Sequence, residues 1–178
     1  MKTLFCILSL SAFLLTSCSK SSSPTSSNTT TPVAGNEQII ANIAGTDMIF
    51  HASAREALSG VDSISIFGYD TVGGKNYKIT LTMLNITKAG TYDITTLALP
   101  TTLPTIHAQL TSANADGTNS IIYDSERSLN TKVGTLTYTS LTALVQGTFS
   151  ATIPQVISAC ASGNPISIIN GSFKILFA

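Results

Sequence analysis

The chain has 178 residues, 43% of them apolar and 10% charged, with nine basic and nine acidic side chains that cancel. Soluble domains carry about 25% charged residues. Ser and Thr supply much of the polarity here, as suits the solvent face of a β-protein. The charges stand singly, with no basic stripe, which excludes electrostatic binding to nucleic acid.

Met1-Lys2-Thr3 opens the chain with one positive charge, and Leu4 to Leu15 follow as an apolar run. That run falls short of the ~20 residues a helix needs to cross a bilayer. Small residues come next, as at a signal-peptide cleavage site. Leu15-Thr16-Ser17-Cys18 resembles a bacterial lipobox, in which an aliphatic residue and two small ones precede a cysteine. The expectation is a lipoprotein signal peptide over 1–17, cut before Cys18, with Cys18 the site of lipid attachment. Sulfur suits this role because a thiolate is a good nucleophile and forms a stable thioether. One acyl chain anchors a protein only marginally, whereas two or more hold it firmly.

Loss of the leader removes Lys2 and Cys6 and leaves one net negative charge. With Cys18 lipidated, Cys160 is the last thiol, so no intramolecular disulfide is expected. Residues 18–35 hold the lipidated cysteine and a Ser/Thr/Pro-rich tether with almost nothing apolar to bury. As a flexible coil the tether spans roughly 20–25 Å. Lys20 within it reads as a solvated lysine. Residues 36–178 form one domain, long enough for a single good core.

After Gly35 the pattern is that of strands throughout. Gln38 to Ala44 and Asp47 to Ala52 read as a first hairpin across Gly45-Thr46. Ala52 to Leu58 could form one or two helical turns. Val61 to Tyr69 is the next strand, followed by a turn over Thr71 to Lys75. Tyr77 to Leu84 alternates cleanly, with Tyr77, Ile79, Leu81 and Met83 on one face, the mark of a half-buried antiparallel strand. Thr91 to Ile94 is a short strand after the Lys88-Ala89-Gly90 turn. Thr96 to Pro104 holds two prolines and reads as a loop or ragged edge.

Thr105 to Thr111 is a strand with Ile106, Ala108 and Leu110 inward. A hairpin turn at Asn114-Ala115-Asp116-Gly117 leads to a return strand, Ser120 to Asp124. A polar loop over 125–131 precedes the strand Lys132 to Leu141. The last two strands echo one another. Val145-Gln146-Gly147-Thr148-Phe149-Ser150-Ala151 and Ile169-Asn170-Gly171-Ser172-Phe173-Lys174-Ile175 share an apolar-x-Gly-x-Phe-x-apolar pattern. Phe149 and Phe173 are expected on a buried face, with Gly147 and Gly171 letting a large neighbour cover the backbone or marking a bulge. The pair is expected to run antiparallel through residues 154–165.

The order of these features resembles small uncharacterised lipoproteins of Bacteroidota. The resemblance is carried by the lipobox and tether, the early hairpin Ile43 to Phe50, Gly90-Thr91-Tyr92, Gly147-Thr148-Phe149 and Asn170-Gly171-Ser172-Phe173. Each motif is short, and their order carries the likeness over most of the mature chain. It implies a C-terminal β-sandwich and no assigned activity. In that family the surface-export signal places acids just after the lipidated cysteine. Here Ser19-Lys20-Ser21 follows, with no acid before Glu37.

His51 and His107 are the only histidines, and neither has a Cys or second His at ligand spacing, so no metal site is expected. His107 alternates with Ile106 and Ala108 as a solvent-face residue. No Gly-x-Ser-x-Gly elbow occurs, and no catalytic or cofactor-binding residue is assigned. A cleft gathering a histidine with an acid and a serine would revive a hydrolase. Asn114 to Asn119 lacks the pattern of a calcium loop and reads as a turn. Cys160 has no nearby cation in sequence to activate it and reads as an inert thiol. With no Trp, aromatic stacking on sugars falls to tyrosine: Tyr69 and Tyr123 lie near strand ends, while Tyr77, Tyr92 and Tyr138 read as inward or ambiguous. Asp62-Ser63-Ile64 and Asp70-Thr71-Val72 resemble a Bacteroidota O-glycosylation sequon, the second at a turn.

The expected fold is an antiparallel β-sandwich of about eight to ten strands, with a closed β-barrel as the alternative. The expected role is a non-catalytic binding or adhesion module in the cell envelope, lipid-anchored, with the outer membrane as its place. Its facing stays open between periplasm and surface, and its partner between a glycan and an envelope protein. An accessory subunit of an envelope complex is the second reading, and a hydrolase the third.

Overall fold

The computed structural model describes residues 34–56, 63–95, 103–128, 131–141, 144–158 and 161–176. The proposed signal peptide, Cys18, most of the tether and Cys160 lie outside them. Ten strands follow in order: β1 (Gln38–Ile43), β2 (Thr46–Glu56), β3 (Ser63–Val72), β4 (Lys75–Leu84), β5 (Gly90–Ile94), β6 (Thr105–Asn114), β7 (Ile121–Asp124), β8 (Gly134–Leu141), β9 (Leu144–Ser158) and β10 (Ala161–Leu176). The described residues contain no α-helix; one 3-10 turn spans Ser125–Ser128.

The helix considered over Ala52 to Leu58 is replaced by strand as far as Glu56, and 57–60 lie outside the described residues. Helical propensity loses to pairing: β2 continues along β3 from His51 opposite Tyr69 to Glu56 opposite Ile64. Ala52 is buried and Ala54 packs on the core, so period two runs past the alanines. The polar loop at 125–131 likewise begins with the 3-10 turn.

All ten strands belong to one sheet, ordered β10-β1-β2-β3-β4-β6-β5-β8-β9-β7, and β9 also pairs β10. The hydrogen bonds therefore return to their start and form a closed ring. Pairing is antiparallel except for one parallel bridge, Ile94 to Ile106, between β5 and β6. β6 borders β5 near Ile106 and β7 over Gln109 to Ser112. β9 borders β8 over its first half and β7 at Gln155 and Val156. Each described strand thus has partners on both sides.

Inward residues alternate along every strand and fill the ring. Ile39, Phe50, Ile66, Leu81, Ile106, Leu110, Leu136, Tyr138 and Phe173 are among its most buried side chains. The two late motifs meet as partners: Gly147 opposite Phe173 and Phe149 opposite Gly171. β10 carries an extra residue between Ile168 and Gly171, a bulge at which Asn170 takes φ 52°.

Candidate functional site

His107 points away from the core, as its alternation with Ile106 and Ala108 requires, but it is buried at 9% exposure rather than solvated. The reason is the β6–β7 hairpin. Pairing of Gln109 with Asp124 carries Asp124 diagonally onto His107. His107 Nε2 lies 2.6 Å from Asp124 Oδ1, and Gln109 Nε2 donates to Asp124 Oδ2 at 3.0 Å. The backbone N–H of Glu126 donates to Asp124 Oδ1 at 2.8 Å. Burial pushes the Asp124 carboxyl up. The bond from His107, the Glu126 N–H, the His107 charge and the Gln109 amide outweigh it and hold the group below the usual carboxylate range.

Ser125 sits where β5 leaves β6 and β7 joins it. Its hydroxyl accepts the Ala108 N–H at 3.1 Å and donates to the Thr95 carbonyl at 2.9 Å. A fully buried side chain thereby replaces missing ladder bonds and stitches the ring across its seam.

His107, Asp124 and Glu126 place one ligand atom each within 4.8 Å of one another. Tetrahedral zinc with ligands at ~2.0–2.1 Å holds them about 3.3 Å apart. The 2.6 Å approach of His107 to Asp124 is instead a direct hydrogen bond, and Asp124 already accepts three donors. The arrangement is a clasp between β6 and β7. It is not a hydrolytic triad either. Ser125 spends its hydroxyl on two backbone groups and is closed to solvent, whereas a nucleophilic serine must be reachable and bonded to the histidine.

The Asn114 to Asn119 segment closes on itself: Asp116 Oδ1 accepts the Thr118 N–H at 2.9 Å and its hydroxyl at 2.6 Å. Those bonds lower the Asp116 carboxyl below its ordinary range. His51 is exposed on the outer face of β2. Tyr69 is 52% exposed with Lys78 Nζ 5.6 Å from its ring centre, whereas Tyr123 packs on the core. Thr71 is exposed at the end of β3 and bonds Asn76, while Ser63 is buried. A shallow groove of about 200 Å³ lies over β8, β9 and β10, lined by Thr137, Thr148, Ser150 and Asn170 among others.

The clasp was partly readable in the sequence. Counting back from the Asn114–Gly117 turn brings β7 beside β6, but Thr118 to Ser120 lengthen the loop and move the register. No family model matches the chain, and no curated protein or solved structure matches it.

Proposed function

We propose that the chain is a lipid-anchored protein of the bacterial cell envelope, tethered through Cys18, whose β-domain serves as a non-catalytic binding or adhesion module. The anchor rests on the lipobox and tether in the sequence. The binding role rests on the ring of strands. Each described strand is paired on both sides, β5 to β6 only at Ile94 and β7 to β9 only at two residues, so a partner finds little free edge to extend. The interior is filled with buried side chains, which leaves the outer face and the strand ends for recognition. The polar cluster that includes His107, Asp124 and Ser125 is consumed in holding the seam.

Protease shaving of intact cells, with a Cys18→Ala variant alongside, tests this. Wild-type protein is expected in the membrane fraction and Cys18→Ala outside it. Retention of Cys18→Ala in the membrane overturns the anchor. Cleavage in the tether of whole cells favours ligand binding at the surface. Protection until the outer membrane is opened favours a periplasmic partner.

An accessory subunit of an envelope complex is the second reading, favoured by Ile49, Ile169 and Leu176. These stand about half exposed on the outer surface of β2 and β10. Crosslinking in cells to a stoichiometric envelope protein supports it; a strict monomer without partner removes it.

A further inference from the structure

We propose that the outer face of β4, β3, β2, β1, β10 and β9 carries a track for an acidic polysaccharide. This rests on the binding-module reading and adds a ligand class and a site to it. Strand register places Lys78 opposite Tyr69, Tyr69 opposite His51, His51 opposite Gln38, Gln38 opposite Lys174, and Lys174 opposite Gln146. The six residues form one continuous outward row, each exposed or half-buried. The polypeptide enters the sheet at Gln38, in the middle of it.

The row holds two lysines, an imidazole, two amides and a half-exposed phenol, and no acid. Among the described residues neither Lys78 nor Lys174 makes an ion pair. The nearest carboxylates lie off the row. Asp70 is turned onto the N–H groups of Ile49 and Thr71, and Asp47 is held by Asn42 at 2.7 Å. Two acids adjoin row residues in sequence, Asp70 after Tyr69 and the exposed Glu37 before Gln38 at the chain entry. The row itself therefore carries two positive charges and no negative one on a nearly neutral molecule, with hydrogen-bonding amides between them and Glu37 and Asp70 at its flanks.

Shape selects the occupant. Four strand steps separate Lys78 from Lys174, about 19 Å along the surface at ~4.8 Å per step. The row bends with the ring, so a flat membrane touches only part of it, whereas a flexible chain follows it. Two lysines are too few for a nucleic acid, whose binding rests on many phosphate contacts. An acidic glycan sets carboxylates on the lysines and one ring against Tyr69, whose face Lys78 now covers. Beyond Gln146 the same chain reaches the hydroxyl-lined groove beside Thr148.

Affinity electrophoresis of the detergent-solubilised full chain tests the assignment, with polygalacturonate in the gel and dextran as the neutral control. Polygalacturonate is expected to retard the protein at low salt and dextran is not. Each lysine replaced is expected to weaken retardation about three- to fivefold, so Lys78→Gln with Lys174→Gln loses about tenfold or more. Tyr69→Ala is expected to weaken it further, and Lys88→Gln, exposed and off the row, to leave it unchanged. No retardation by polygalacturonate, or equal loss in Lys88→Gln, overturns the proposal. So does tighter binding to phosphatidylglycerol vesicles. If the protein then still captures dextran or an envelope protein, the binding-module reading survives without the track.

Discussion

The ring of Phe173 lies over Gly147 on the neighbouring strand, its Cζ 2.6 Å from where a methyl group on that glycine would stand. Phe149 and Gly171 repeat the relation at the same distance one step away. The two phenylalanines contact each other at 6.3 Å between ring centres, and Tyr138 meets Phe173 edge-on at 5.8 Å. Gly171→Ala forces the Phe149 ring aside, and Gly147→Ala drives its methyl into both the Phe173 ring and the Thr137 carbonyl of β8. Either is expected to destabilise the domain by about 1–3 kcal/mol, read as a lowered urea midpoint. Gly45→Ala meets no atom within 4 Å and serves as the uncrowded comparison, with strain from its φ of 89° alone.

The His107–Asp124 clasp makes stability depend on acid. Asp124 titrates below its unfolded value of about 3.9, so its contribution is fully present above that pH and is lost as pH falls through the lower folded value. Asp124→Asn is expected to lower stability near neutrality by about 1–2 kcal/mol. It is also expected to flatten the fall in stability below about pH 4. Chemical denaturation of wild type and variant from pH 2 to 7 measures both. Parallel curves would show that Asp124 is not the group responsible.

Ser125→Ala removes the acceptor of the Ala108 N–H and the donor to the Thr95 carbonyl together. Leaving these buried backbone groups unmet is expected to cost about 2–3 kcal/mol. Amide exchange is the sharper readout. The Ala108 proton should exchange faster in the variant by more than the global loss of stability explains, because the seam opens locally.

Tyr138 is 1% exposed, and its hydroxyl has no hydrogen-bond partner among the described residues. Burial pushes the phenol well above its usual ionisation range. Tyr138→Phe keeps the ring on Phe173 and removes the orphaned hydroxyl. It is expected to leave the domain as stable or to stabilise it by about 1 kcal/mol. In alkaline titration at 295 nm the wild type should show one tyrosine that ionises only on unfolding, absent in the variant.

Much of the strand pattern could be read directly from the sequence, because period-two alternation states which side chains face inward whatever the neighbours are. The Gly-x-Phe echo of β9 and β10 also read correctly, since a large ring needs a missing side chain opposite it. The helix over Ala52 to Leu58 failed as far as Glu56 because pairing along the long edge of β3 outweighed the helix propensity of the alanines. The sequence placed His107 on the outer face but as a solvated residue. Alternation gives a side chain's direction and says nothing of what the next hairpin lays beside it.

By itself the chain determined its all-β class, its inward faces and the absence of a dense charge stripe, all consequences of local composition and periodicity. The tertiary structure decided that ten strands share one sheet whose pairings return to their start. It also decided that Asp124 and Ser125 close its seam, and that Lys78, Tyr69 and Lys174 fall in one row. Those are matters of register between strands distant in sequence. Register is set by the sum of core packing and loop lengths around the whole ring, which no local stretch contains.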